Sequence, residues 1–416
     1  MAAIQPSPSS NDLQPPYTRT TPLSWALQNL FNNWHNTVFT LFFGVILSYA
    51  AYRGLRFFFV TARWEIVETN LTNLMVGQFP RNELERVWAA LFLLGGSGGF
   101  IAGQAKQLST QDPTSPPPSP GREQILDFVR RAWPFTILVL FLLRLSRSTT
   151  IMLLILALVA LTGAGRLIGA RIPGASPKRI TIFALATACA TLLLLLFNGP
   201  PSQEWGGLLL TVFLSTVSIL ASFPLGILLA LGRRSSLPAI RFVCVGYIEV
   251  IRGVPLITLL LLSTILKLFL PPNSFDPNDI TRAAVVLALF TAAYVAEIMR
   301  GGFQAIPQGQ IEAAQALGLV PIQTIRLIGL PQAIRKVVPA LVGQFISLLK
   351  DTSLVSIIGL SDILKVSRSF TSQDDFVGKG LTAETLAAAC LVYWALCFTM
   401  SKESKRLEER LGVGER

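Results

Sequence analysis

Ten apolar runs divide this chain, at residues 37–52, 87–105, 133–143, 149–163, 180–197, 207–231, 247–270, 282–299, 337–360 and 383–400. Most are roughly 18 residues or longer, about what a helix needs to cross ~30 Å of hydrocarbon. In lipid every backbone N–H and C=O must be satisfied within the segment, so runs of this kind admit only helices. The expected fold class is therefore an all-α polytopic membrane protein. The third and fourth runs are short, and together they read as a hairpin that does not fully cross. Composition agrees: of 416 residues, 51% are hydrophobic and only 14% charged, with a mean hydropathy of +0.55.

The net charge of +12 would suit a nucleic-acid partner if it formed a patch. It does not, because the basic residues sit in short loops between apolar runs, the usual bias of cytoplasmic loops. Arg166, Arg171, Lys178 and Arg179 share one such loop, and Arg233, Arg234 and Arg241 share another. Asp276 and Asp279, then Glu65, Glu68, Glu83 and Glu85, fall on the opposite side. This asymmetry places the C-terminal tail 401–416 in the cytoplasm, and the N-terminus too if all ten runs cross.

Two polar stretches mark boundaries. Residues 1–34 are rich in Pro, Ser, Thr and Asn, with no basic region feeding an apolar one, and read as a disordered cytoplasmic tail rather than a cleaved leader. Residues 107–121 form a proline-rich linker. The Asn198-Gly199-Pro200-Pro201-Ser202 break separates an extension, 35–200, from a core, 206–400. The four cysteines lie in or beside apolar runs without a CxxC, and read as free buried thiols. A single histidine, His35, leaves no material for a His-based metal or catalytic site.

The stretch between the eighth and ninth runs, IPQGQIEAAQALGLVPIQTIRLIGLP, is a polar, helix-forming loop at 306–335. Pro307 suits a helix start, and 311–317 is Ala-rich and favours helix. Gly318 falls where a left-handed residue ends that helix. Pro321 suits the start of a second helix, which Pro331 is expected to break. Ala313 and Ala314 would give the first helix a flat face, and Glu312 sits near its positive end. Taken alone this could be an ordinary solvated helical loop. Yet the spacing of Glu312, Ala313, Ala314, Gly318, Leu330 and Pro331 resembles the EAA loop, the signature of the membrane-spanning subunits of bacterial ABC importers. The stretches GGLLLTVFLSTVSILASFPLGILLALGRR, YIEVIRGVPLI and RLIGLPQAIRKVVPALVGQFISLLKDTSL are similar to the polar-amino-acid branch of that family. ARWEIVETNLTNLMVGQFP resembles the extension of the larger general L-amino-acid permeases.

The resemblance implies a five-helix permease core preceded by an extension with about five further membrane segments, in the inner membrane. It also implies partners: a cytoplasmic ATP-binding subunit docked on the EAA loop, a second permease subunit of different sequence, and a periplasmic amino-acid-binding protein. Membrane lipid surrounds the spans, and no cofactor is implied.

Two further groups stand out. Glu249-Val250-Ile251-Arg252-Gly253 begins one expected helix, and Glu297-Ile298-Met299-Arg300-Gly301 ends the next. Glu and Arg three apart can pair on one helical face, so each set either anchors the membrane edge or lines the inner mouth of a pathway. Lys350-Asp351-Thr352 interrupts an apolar run, about 20 Å along a helix counted from Val337. It reads equally as contact points for a zwitterionic amino acid or as a structural pair that ends the helix before a gating segment. No phosphate-binding GxxxxGK[ST] or HExxH is present. The rival reading is a secondary transporter, but its usual sign of two related halves is missing. A structural scaffold is the third option, and the polar cluster argues against it.

Overall fold

The computed structural model describes residues 21–110, 133, 135–146, 148–172, 176–196, 199–266 and 277–410. The chain divides into two compact units, residues 1–63 and 64–416.

The first unit holds α1 (Pro22–Asn29) and α2 (Trp34–Arg56), the latter running into a π-helical turn at Phe57–Thr61. Part of the expected disordered tail is thus helical. Thr21 caps α1, accepting from the Ser24 backbone N–H at 3.3 Å, and Pro22 stands at its first position, where no N–H is needed. Residues 1–20 lie outside the described residues. No residue of α2 is buried.

The second unit begins with two short helices, α3 (Glu65–Thr69) and α4 (Leu71–Val76), followed by α5 (Leu84–Thr110). Then come α6 (Phe135–Leu145), α7 (Thr149–Arg171) and α8 (Pro177–Leu196). The core comprises α9 (Gly207–Arg233), α10 (Pro238–Gly253), α11 (Leu256–Leu266) and α12 (Asp279–Gln304). It continues with α13 (Gln308–Ala316), α14 (Pro321–Thr324), α15 (Leu330–Asp351), α16 (Ile363–Ser369) and α17 (Thr382–Arg410). Among the described residues, seven helical stretches are long and apolar enough to cross a membrane. They cover the first, second, fourth, sixth, eighth, ninth and tenth runs. The fourth run needs no hairpin partner, since α7 has 23 residues. The third and fifth fall in shorter apolar helices, Phe135–Leu145 and Arg179–Thr191. Of the expected linker, residues 107–110 finish α5 and 111–121 lie outside the described residues.

The seventh run is not one straight span. Its helices α10 and α11 meet at a bend of 104°. Pro255 lies at the break and has no N–H with which to continue the ladder.

The core packs around α12, where Ala292, Ala293, Val295 and Met299 have no exposed surface. Small residues let helices close on it. A Cβ on Gly226 of α9 would overlap Val295, and Ser218 Oγ donates to the Ala284 carbonyl at 3.1 Å. In the extension the same device joins α5 to α7. Gly99 and Gly103 lie against the backbone of Thr162, Arg166 and Gly169, and Gly165 and Gly169 return the contact at Gly96 and Phe100.

Residues 64–79 form a strap across one end of the core. Gly77 lies at φ +64° with its Cα against Gly206, so closely that a Cβ would overlap Gly206 Cα. The Gly206 N–H donates to the Val76 carbonyl at 3.2 Å, and the Gly207 N–H to that of Ser361 at 2.8 Å. Phe79 packs 6.3 Å from Trp205 between ring centres. Asn70 and Gln373 exchange amide hydrogen bonds at 2.9 and 2.8 Å. Both residues are largely withdrawn from water, and the exchange satisfies amide groups that would otherwise be costly to bury.

Candidate functional site

The opposite end of the core carries the polar loop and a group of charges. α13 starts after Pro307 and ends where Leu317 closes it; Gly318 follows at φ +78°, the left-handed residue the sequence required. Pro321 opens α14 at its first position, and Gln323 Oε1 accepts from the Val320 N–H at 3.3 Å.

Pro331 does not break the second helix. α14 passes into a π-helical turn, Ile325–Gly329, in which the Leu330 N–H reaches the Ile325 carbonyl, and α15 continues from there. The wider turn takes up the irregularity that a proline without an N–H imposes. The resulting helical stretch, Pro321–Ile358, has 38 residues. At 1.5 Å each that is about 57 Å, well beyond the ~30 Å of hydrocarbon that a span needs.

The expected flat face is only half present. Ala313 and Glu312 are exposed, but Ala314 is buried beneath the loop. Leu330 is half-buried and Pro331 exposed. What the loop offers outward is apolar: Leu317 is 80% exposed, Ile322 74% and Leu327 62%. Sequence reasoning passed over these three. Their signal was available, since large aliphatics in a loop otherwise rich in Gln, Gly and Ala have little reason to face water.

Beside the loop, the two Glu-x-x-Arg-Gly motifs come together, and in a way their spacing did not foretell. The first ends α10 rather than starting a helix. Glu297 accepts from Arg300 Nε at 2.9 Å, the expected pairing within one motif. Glu249 instead meets Arg233 at 3.4 Å, and Arg252 meets Glu297 at 3.7 Å. Arg233, absent from the candidate residues, also reaches Glu297 at 3.2 Å. Glu297 is thus the hub for three arginines from α9, α10 and α12. Arg252 also lies 5.7 Å from the Tyr294 ring centre and Arg234 5.1 Å from that of Phe303. The three helix ends are held to one another by charge.

Lys350, Asp351 and Thr352 sit apart from this group, where α15 ends and a 3-10 turn, Thr352–Ile358, begins. Lys350 is exposed, Asp351 half-buried and Thr352 fully buried, its hydroxyl donating to the Leu349 carbonyl at 2.7 Å. Gly359 follows at φ +97° and reverses the chain toward Asp362.

Among the described residues the chain is helical and multi-span, with the two-helix loop set between α12 and α15. Residues 222–411 match the family described as binding-protein-dependent transport system inner membrane component. The chain is 45% identical over 213 residues to an inner membrane amino-acid ABC transporter permease protein, YhdY, of Escherichia coli, covering 51% of this chain and 58% of that protein. It is 46% identical over 212 residues to the glutamate/glutamine/aspartate/asparagine transport system permease protein BztC of Rhodobacter capsulatus, covering 50% of this chain and 48% of that one. It is 36% identical over 220 residues to a probable glutamine ABC transporter permease protein, GlnP, of Bacillus subtilis, covering 51% of this chain and 98% of the relative. The chain belongs to this family of inner-membrane permease components, in its amino-acid branch. The matched part spans about half the length of the first two relatives.

Proposed function

We propose that this chain is one membrane subunit of an ATP-driven importer of amino acids. On this reading its loop at 306–335 docks a cytoplasmic ATP-hydrolysing subunit. A second permease subunit of different sequence completes the pathway, and a periplasmic binding protein delivers the amino acid. The C-terminus is cytoplasmic. The observation that carries the proposal is the loop: a rigid two-helix projection, held by Gly318 and Pro321, that presents Leu317, Ile322 and Leu327 outside the span. A monomer gains nothing by exposing such a surface, whereas a groove on a partner would bury it. Glu312 and Ala313 stand on the outward side of α13 and complete the contact.

The charged hub at Glu249, Arg252, Glu297 and Arg300 lies beside this loop, so motion of the loop reaches the inner mouth of the pathway directly. Lys350, Asp351 and Thr352 mark a second polar point along the same path, where α15 changes its winding.

Replacing both Leu317 and Ile322 with Asp tests the docking surface. The expected outcome is normal membrane insertion with loss of the co-purifying ATPase and of ATP-driven amino-acid uptake in vesicles. Unchanged uptake by the double variant would overturn the docking role.

A further inference from the structure

α10 leads into the seventh apolar run, yet its contacts set it across the end of the core rather than up through it. A Cβ on Gly232, in the last turn of α9, would touch Ile240 and overlap Cys244 Sγ. Arg233, the last residue of that helix, reaches Glu249 at 3.4 Å. Residues 240 to 249 therefore all lie beside a single turn of α9. Running alongside α9 would instead carry them about 13 Å up its length. The far end of α10 is held at the same level, since Arg252 and Arg233 share Glu297. Only beyond Arg252 does the chain bend by 104° into α11. α10 thus lies at the edge of the span that Arg233 and Arg234 close.

Its sequence suits that position. With 3.6 residues per turn, Cys244, Ile248 and Ile251 point toward α9 and α12, and Ile248 has no exposed surface. Arg241, Glu249 and Arg252 gather on one flank, the last two committed to the charged hub. Phe242, Gly246 and Val250 gather on another flank, with Val243 at its margin. There Phe242 is 79% exposed, Val243 66% and Val250 62%. No atom lies within 4 Å of where a Gly246 Cβ would be. A helix divided into a core face, a charged flank and an uncovered apolar flank suits the plane of a membrane surface.

Two observations decide what covers the apolar flank. It carries no side chain able to hydrogen-bond, whereas a protein interface uses about one hydrogen bond per 100–200 Å². Arg234 and Arg241, both exposed, stand just before and at the start of the helix, where they complement the negative surface of a cytoplasmic leaflet. We propose that α10 is an interfacial helix bound to anionic lipid. Phe242, Val243 and Val250 enter the acyl region, and Arg234 and Arg241 meet the headgroups. The hub joins this lipid-borne helix to α9 and α12, so the membrane surface itself braces the turn into α11. The choice of leaflet rests on the orientation proposed above, and the lipid contact does not. Thiol labelling tests that orientation on its own, so the two can fail separately.

The test uses the full-length chain with the subunits that co-purify, in vesicles of phosphatidylglycerol and phosphatidylcholine. In a cysteine-free background, Phe242→Cys, Gly246→Cys and Val250→Cys each carry a nitroxide. Power saturation then compares access of oxygen, which partitions into hydrocarbon, with that of a water-soluble nickel complex. Gly246→Cys enters open space and so guards against a Phe242 variant that fails to fold. All three labels are expected to favour oxygen several-fold more than a label at Gln310 in the polar loop, and to lie at one depth. A depth that changes by about 12 Å from 242 to 250 would make α10 part of a span and overturn the proposal. So would labels that favour nickel, which would put the flank in water. Vesicles of phosphatidylcholine alone should lower the oxygen preference, and an unchanged value would overturn the headgroup contact. Labels shielded from both reagents in the complex, but not in the isolated chain, would assign the flank to a protein partner instead.

Discussion

Gly318 stands at φ +78° with no atom within 4 Å of where a Cβ would lie. A substitution there costs backbone strain and nothing else, about 1–2 kcal/mol for most side chains and less for Asn. Gly318→Val is accordingly expected to lower ATP-driven uptake several-fold while Gly318→Asn keeps most of it, both inserting normally; equal uptake by the two would show that the turn does not matter. Asp362 offers a second residue-scale test. It is wholly buried, caps α16, and accepts from the Leu364 and Lys365 N–H groups at 2.9 and 3.2 Å. Burial pushes its carboxyl above the usual range, and those two hydrogen bonds only partly offset this. An acid raised on folding holds its proton more tightly in the folded chain, so stability falls as pH rises from the ordinary carboxylate value through the raised one. Asp362→Asn keeps the cap without the ionisation. Its thermal stability at neutral pH should equal or exceed wild type and lose this acid-side slope, whereas Asp362→Ala should lose about 1 kcal/mol. A wild-type melting temperature that rises with pH over that window would contradict the assignment. Gly318 and Pro321 were legible in the sequence because turn punctuation is local. The burial of Ala314 was not, since it depends on which face of α13 meets the rest of the loop.

At the scale of elements, what joins the helix ends is the hub at Glu297. Its side chain is 22% exposed and serves three arginines, while that of Glu249 is 57% exposed and meets one. Charge-assisted contacts of the first kind are worth roughly 1.5–3 kcal/mol each, those of the second roughly 0–1. Glu297→Gln should therefore lower the melting temperature of the subunit by several degrees and cut uptake, with Glu249→Gln close to wild type. Similar losses for the two would mean the hub is not centred on Glu297. Sequence spacing found the two motifs but not their crossing, because which helices meet is a property of packing. Likewise Pro255 has no N–H with which to continue the ladder, and the structure makes a 104° turn there. Pro331 looked the same on paper and is not a break, since the preceding turn widens to admit it.

For the whole molecule the membrane-spanning character was plain from the apolar runs, and the pattern of basic loops gives the orientation a direct test. In a cysteine-free background, cysteine at Gln310 should be shielded from an impermeant thiol reagent in intact spheroplasts, and cysteine at Asp375 should label without lysis. The reverse pattern would place the loop outside and exclude docking to a cytoplasmic ATPase. Less legible was how the extension joins the core, for nothing local in Asn70 points to Gln373. Those two residues lie 303 positions apart in the chain. At 5–20 residues per second the ribosome makes Asn70 about 15–60 s before its partner exists. Until then the strap can reach Gly206 but not Gln373, so its amide exchange with the loop after α16 waits unmade. The clasp therefore closes late in synthesis and requires that the loop after α16 be in place. A chain stalled or cut short before that loop would keep an open strap, and quality-control proteases working on that side of the membrane would have a mark by which to tell unfinished subunits from finished ones.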